Sequence, residues 1–278
     1  MVDLDLIRRA LAEDLAGGQD ITSVATVSGN ESVIADFVAR KAGVIAGVEM
    51  AVATLREVGI TDIDVRLNDG DEVSPGSAVM TVRGDTRAIL LAERTALNFL
   101  GHLGGIATLT NTWVKAIAGT ACTIRDTRKT TPGMRLLEKA AVVAGGGANH
   151  RLSLSDAALI KDNHIAAAGG VSAAFSKVRA AFPDAFVEIE VDSLEQLKEV
   201  ATQKPDLVLL DNMSPAQCKE AVAFVAGRFK LEASGGISLE SAKAYAQSGV
   251  DYLAIGALTH SAPVLDIGLD MKLEERAE

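Results

Sequence analysis

The stretches FVEIEVD (186–192), LVLLDN (207–212), KLEASGG (230–236) and YLAIGAL (252–258) decide the fold class of this 278-residue chain. Each is a short apolar run that ends in polar residues or glycine, and a segment of helical spacing follows each of the first three. ACTIRDT (121–127) and AALIKDN (157–163) extend the series toward the N-terminus. From Lys161 onward the runs stand roughly 20 to 30 residues apart, the length of one strand plus one crossover helix. Continuous apolar runs suit strands buried on both faces, as parallel sheets require. Six or more such units predict a closed or nearly closed α/β barrel, with a doubly wound open sheet as the alternative.

Toward the N-terminus the pattern changes. Leu4, Ile7, Leu11 and Leu15 recur at helical spacing until Gly17–Gly18. Two β-like stretches follow, SVIADFVARKAGVIAGVEM (32–50) and IDVRLNDGDEVSPGSAVMTVRG (63–84). Asn68–Gly70 and Ser74–Gly76 punctuate the second as turns, and AVATLREVG (51–59) between them has helical spacing. A long helix is predicted over Thr86–Leu103, with Ile89, Leu90, Ala96, Leu97 and Leu100 as its apolar face. The expected domains are therefore a small α+β unit over 1–103 and a barrel over 104–265. The stretch DGDEVSPGSAVMTVRG resembles the turn-and-strand pattern of biotinyl and lipoyl carriers. Lys41, however, precedes the glycine turn instead of occupying a hairpin tip, so a carrier is not expected.

Composition narrows the function. Hydrophobic residues make up 48% of the chain, enough for a large core, and aromatics only 4%, which suits helices on parallel strands. A formal net charge of −10 disfavours non-specific binding to nucleic acid or an anionic membrane. The two cysteines, Cys122 and Cys218, form no metal or redox pattern, as expected for reduced thiols. No apolar leader and no run long enough to span a membrane is evident, so a soluble cytoplasmic protein is expected.

In α/β barrels the reactive side chains stand where strands exit, because the loops there converge on one mouth. The strand ends here carry Arg128 and Lys129, Lys161 and Asp162, Glu190 and Asp192, Asp211 and Asn212, Ser234–Gly236, and Gly256. Ser234, Gly235 and Gly236 precede a predicted helix, and the next run ends at Ile255-Gly256-Ala257. Two consecutive glycine loops of this kind suit a phosphate, held by free backbone N–H groups. Arg125, Arg128, Lys129, Arg135, Lys139, Arg151 and Lys161 form a basic cluster inside an acidic protein, fit for a small polyanion. Arg135 and Lys139 are equally readable as solvated residues of a helix face. His150, beside Arg151, is suited either to an anionic ligand or to anchoring a loop. His150 and His164 lack zinc-site spacing, and no metal site is expected in the protein itself.

These motifs carry a resemblance. Arg125-Asp-Thr-Arg-Lys-Thr-Thr-Pro-Gly133, Gly145-Gly-Gly-Ala-Asn-His-Arg151 and Leu159-Ile-Lys-Asp-Asn-His164 closely resemble the quinolinate phosphoribosyltransferases. So do Glu93-Arg-Thr-Ala-Leu-Asn98, Gly105-Ile-Ala-Thr108, Glu190-Val-Asp192, Leu210-Asp-Asn212, Ser234-Gly-Gly236 and Gly256-Ala-Leu-Thr-His260, over nearly the whole chain. The resemblance implies an N-terminal open α+β sandwich, an incomplete barrel of about seven strands, and a C-terminal segment, 266–278, that returns to the small domain. It implies transfer of a phosphoribosyl group from phosphoribosyl pyrophosphate to quinolinate with loss of CO2, a step of NAD biosynthesis.

The residue roles follow from the same resemblance. Arg128, His150, Arg151 and Lys161 would surround the acceptor, with Arg94 reaching in from the partner of a homodimer, and Thr127 would also bind substrate; dimers of dimers are left open. Lys129, Glu190 and Asp211 would be catalytic and face the ribose and pyrophosphate. Ser234, Gly235, Gly236, Gly256 and Ala257 would hold the 5′-phosphate, and Mg2+ would arrive with the pyrophosphate. The sequence departs from the family pattern at Gly104, Ala140 and Ser153, none of which removes a matched charge. A related branch associated with molybdenum transport shares the scaffold, and a phosphate-binding barrel lyase or isomerase is a further alternative. The full arginine and lysine set favours quinolinate.

Overall fold

The computed structural model describes residues 2–29 and 31–272, and these divide into two compact units. Among the described residues the first comprises 2–29, 31–109, 143–146 and 262–272, and the second comprises 110–142 and 147–261.

The first unit opens with helix α1 (Leu4–Leu15), which buries Ile7 and Leu11 and ends at Ala16 in the left-handed region. Asp3 caps its start by accepting the Leu6 N–H. Helix α2 (Ile21–Thr26) leads into strand β1 (Ser32–Ala39) and the two-residue strand β2 (Gly43–Val44). The GVEM portion read as strand is instead the start of helix α3 (Val48–Glu57). Gly47 precedes it at φ 92, a conformation open to glycine, and the Asp69 carboxylate accepts the Val48 N–H. Strands β3 (Asp62–Val65), β4 (Glu72–Val73) and β5 (Ala78–Asp85) complete the N-terminal set. The C-terminal strand Ile267–Lys272 pairs antiparallel with β1, giving a four-stranded sheet in the order C-terminal strand, β1, β5, β3. Residues 273–278 lie outside the described residues. The core on this sheet includes Phe37, Ile45, Leu55, Met80 and Val82, all fully buried.

Helix α4 runs over Thr86–Ala116, well past the expected end at Leu103. Its glycines are points of close approach instead of stops. A Cβ on Gly101 would meet the Leu265 carbonyl oxygen at 3.2 Å, and one on Gly105 would fall 2.1 Å from that of Pro263. The segment before the C-terminal strand crosses the helix there, and only glycine leaves room for its backbone.

The second unit alternates strands and helices. Strand β6 (Thr123–Arg125), helix α5 (Arg135–Ala144), strand β7 (Ala158–Ile160) and helices α6 (Asp162–Ala168) and α7 (Val171–Ala181) come first. Then follow β8 (Val187–Val191), α8 (Leu194–Ala201), β9 (Leu207–Asp211), α9 (Pro215–Val225), β10 (Lys230–Ser234), α10 (Leu239–Gln247), β11 (Tyr252–Ala254) and α11 (Ala257–His260). Ser193, Ser214 and Ser238 cap α8, α9 and α10 by accepting N–H bonds from their first turns, so each strand exit is fixed to a helix start. The six strands are parallel in the order β6-β11-β10-β9-β8-β7. An isolated parallel bridge adds Ala148 beside Arg125 at one edge. Six strands and one bridge stand where about seven strands were expected, and among the described residues no ladder closes the sheet on β7.

Candidate active site

Parallel register places residues of one inward-facing row together. Glu190 of β8 pairs with Leu209 of β9, which pairs with Glu232 of β10. One step further along, Asp211 pairs with Ser234. Above them opens a cavity of about 850 Å3, lined entirely by residues of the second unit.

The cavity gathers nearly every residue that the sequence singled out. The loop after β6 supplies Thr127, Arg128 and Lys129; the loop before β7 supplies His150 and Arg151; and Lys161 follows β7. Glu190 and Asp211 come from β8 and β9, Ser234, Gly235 and Gly236 from the end of β10, and Gly256 and Ala257 from the turn into α11. Arg94 stands apart, exposed on α4 in the first unit, and does not line the cavity. The lining also includes Leu154, Leu159 and His260, none of them assigned a role from the sequence.

The rim is an alternation of charges. Lys161 Nζ donates to Glu190 Oε2 at 2.8 Å. Asn212, at φ 53, donates from its amide to Asp211 Oδ2 at 2.7 Å. Burial and the neighbouring charge of Glu190 hold the Asp211 carboxyl above its ordinary range. Burial, with Arg128 alongside, pushes the Arg151 guanidinium down. The Nε atoms of Arg128 and Arg151 are buried donors without a partner, although Arg151 also donates to the Ala157 carbonyl at 2.8 Å. Two such orphaned guanidinium donors at one wall suit a carboxylate ligand.

The glycine loops interlock. The Asn212 N–H donates to the Ser234 carbonyl, and a Cβ on Gly235, at φ 89, would fall 2.2 Å from Asn212 Oδ1. Gly256 passes the Lys129 stem, where a Cβ would lie 3.2 Å from Cδ. Thr259 donates to the Lys129 carbonyl at 2.8 Å and ties that loop to α11.

Below the rim lies a polar floor that the sequence did not reveal. Lys139 is 1% exposed and donates to Asp126 Oδ1 at 2.5 Å and to the His150 carbonyl at 2.9 Å. Asp126 Oδ1 also accepts the His150 N–H at 2.7 Å. Lys139 therefore does not decorate a solvated helix face but clamps the loop that bears His150 and Arg151. Arg125 likewise turns away from any ligand role. It donates to the fully buried Glu232 at 2.8 Å and stacks over the Tyr252 ring at 4.5 Å. Arg135 bonds Thr130 Oγ1 and the Leu152 carbonyl, bracing two loops.

His150 is 7% exposed, and both ring nitrogens are engaged. Nδ1 accepts the Arg151 N–H at 2.8 Å, so the ring hydrogen sits on Nε2, 2.8 Å from Glu188 and 3.4 Å from Glu232. The three side chains lie close enough to hold a cation, but an Nε2 that carries hydrogen has no lone pair to give, and Arg125 already occupies one Glu232 oxygen. The acids had a readable signal. Glu188 and Glu232 each stand two residues before a rim residue in an apolar strand, hence on the same inward face.

Residues 20–104 match the family described as quinolinate phosphoribosyl transferase, N-terminal domain, and residues 106–270 match its C-terminal domain. The chain belongs to the quinolinate phosphoribosyltransferase family. Within that family, the chain is 53% identical over 273 residues to the nicotinate-nucleotide pyrophosphorylase [carboxylating] of Mycobacterium leprae, covering 96% of each chain. A probable enzyme of the same name from Bacillus subtilis is 39% identical, with 98% of this chain and 94% of that one covered. The solved nicotinate-nucleotide pyrophosphorylase of Francisella tularensis superposes with a TM-score of 0.93 at 38% identity, over 96% of this chain and 95% of that one. The family match and this superposition bear out the expected fold, an α/β unit of parallel strands with a small antiparallel unit.

Proposed function

We propose that the chain transfers the phosphoribosyl group of phosphoribosyl pyrophosphate to quinolinate, releasing pyrophosphate and CO2 and giving nicotinate mononucleotide, a step of NAD biosynthesis. The observation that carries this reading is the cavity's polarity: cations from three separate loops on one wall, two carboxylates on the adjoining strands, and two glycine loops beyond. An isomerase needs an acid and a base but not an arginine-rich wall for a dianion.

The chemistry follows from the placement. Phosphoribosyl pyrophosphate enters as its magnesium complex, with the 5′-phosphate on the N–H groups of Ser234–Gly236 and Gly256–Ala257. As pyrophosphate departs, ribose C1 becomes cationic, and Glu190 and Asp211 stabilise that charge electrostatically. Lys129 neutralises the leaving group. Arg128, Arg151 and Lys161 orient quinolinate by its carboxylates, with Thr127 and His150 completing the wall. The pyridine nitrogen attacks C1 and becomes positive. The C2–carboxylate bond then breaks, CO2 leaves, and the electron pair left at C2 is stabilised by the adjacent cationic nitrogen until a proton takes it up. No resident metal or organic cofactor is required of the protein.

In this reading the protein is a cytoplasmic homodimer, and the exposed Arg94 serves the partner's acceptor site. The test is an endpoint assay with quinolinate, phosphoribosyl pyrophosphate and Mg2+, following nicotinate mononucleotide and CO2. Product should depend on all three, and mixing Arg94→Ala with Lys129→Ala protein should restore some of the activity that each lacks. A folded protein that yields no product would remove the reading.

A further inference from the structure

The floor beneath the acceptor wall poses a hydrogen-bond accounting problem. Glu188 Oε2 accepts from His150, and Glu232 Oε2 accepts from Arg125. The remaining oxygen of each acid is buried without a donor. Of the nearest donors, the His150 ring has one N–H, which goes to Glu188, Arg125 gives one N–H to Glu232 and another to the Asn149 carbonyl, and the unpartnered Nε of Arg151 reaches neither orphan oxygen. The two buried carboxylates have one ion-paired cation, Arg125, and one ring N–H; Arg151, whose charge also acts on Glu188, belongs to the wall that a dianion would occupy, so the floor itself carries a net negative charge under a site built for an anion. One added proton removes both defects, because it supplies a donor and cancels the surplus charge.

We propose that Glu188 and Glu232 are positioning residues of the acceptor site, a buried pair in which Glu232 carries a proton and takes a firmer hold on it when a dicarboxylate binds above. The proposal rests on the quinolinate reading of the cavity. Glu232 faces Glu188 from β8, Arg125 from β6, His150 from the loop before β7 and Tyr252 from β11, with Cys122 at the foot of β6. Burial and the charge of Glu188 push the Glu232 carboxyl up to about 7, which agrees with the hydrogen-bond count.

The sign follows from linkage. Below the Glu232 pKa the floor already holds its proton, and binding exchanges none. Above it the floor is doubly charged, and a dianion can bind well only if a proton returns. Affinity for quinolinate therefore falls as pH rises through about 7, by at most about tenfold per pH unit. The fixed pair also explains the ring orientation of His150, which in turn accepts the Arg151 N–H.

Calorimetry of quinolinate binding in buffers of different ionisation enthalpy tests this. Wild-type protein at about pH 8 should take up part of one proton, and at about pH 5.5 almost none. Glu232→Gln keeps the shape and a permanently neutral floor, so its binding should exchange no proton and lose the alkaline decline in affinity. Should that variant not fold, carbon-13 labelling of wild-type glutamates gives a second reading, a carboxyl titrating near neutrality that moves upward with quinolinate. Uptake as large in Glu232→Gln as in wild type, or no such carboxyl, would overturn the proposal and leave the quinolinate reading standing. Absence of quinolinate binding at every pH would overturn both.

Discussion

Two lysine–carboxylate pairs in the second unit differ in what they hold. Lys161 and Glu190 meet at 2.8 Å on the rim, with side chains 47% and 14% exposed. Lys139 and Asp126 meet at 2.5 Å in the floor, 1% and 0% exposed. Water screens the rim pair, so its net worth to the fold is small, about 0–1 kcal/mol, and either member can turn toward a ligand. The floor pair has no such freedom. Its charges are satisfied by each other, by the His150 backbone and, for Asp126, by the Asn149 amide, so removing one strands the other without a counter-charge in a dry interior. The same two chemical groups are thus binding equipment in one place and a fixture in the other.

The largest expected effect breaks the floor pair. Lys139→Ala leaves Asp126 buried and unpaired and should cost about 3–5 kcal/mol in urea unfolding. Lys139→Met with Asp126→Asn removes both charges and should recover most of that loss. A single substitution costing under about 1 kcal/mol would mean that the floor pair is as dispensable as a surface one.

The rim should show the opposite profile. Lys129→Ala or Glu190→Ala should lower turnover well over tenfold, a barrier increase above about 1.4 kcal/mol. Unfolding free energy should change by no more than about 0.5 kcal/mol, since water replaces the lost partner. Near-wild-type turnover would remove the roles assigned to these two side chains.

The same difference explains what the sequence made legible. Rim residues end their strands, and a charge at the end of an apolar run is visible as a change of pattern. That is how Lys129, Lys161, Glu190 and Asp211 were found together. Floor residues sit inside the runs or on helix faces. Nothing local says that Lys139 turns inward, because its partner lies 13 residues away in another element. Arg125 reads as one of the ligand-binding cations for a related reason, since a single sequence does not show that Glu232, 107 residues later, takes its charge. The glycines of α4 misled in a third way. Gly104 and Gly105 follow directly on the predicted end at Leu103, and only the passage of Pro263 and Leu265 across the helix gives them another reason. Short-range signals are legible in a single sequence, and pairings across the fold are not.

A finer contrast, a difference of about 2 kcal/mol between neighbouring positions, separates conformation from crowding at the glycine loops. Gly235 and Gly236 both have positive φ, 89 and 61. A Cβ at Gly235 would collide with Asn212, whereas one at Gly236 meets nothing within 4 Å. Gly236→Ala therefore carries only the cost of a left-handed alanine, about 1 kcal/mol. Gly235→Ala adds the displacement of Asn212 and should cost about 3 kcal/mol, with Asp211 losing its hydrogen-bond partner. Kinetics should divide them further. If these N–H groups cradle the 5′-phosphate, Gly236→Ala raises KM for phosphoribosyl pyrophosphate with kcat nearly kept, because its methyl group intrudes on bound substrate only. Gly235→Ala should lower kcat as well, because the Asp211 carboxylate moves with Asn212. Equal stability losses and equal kinetic profiles would show that the two loops do not interlock through Asn212, and the rim would then be less rigid than its hydrogen bonds indicate.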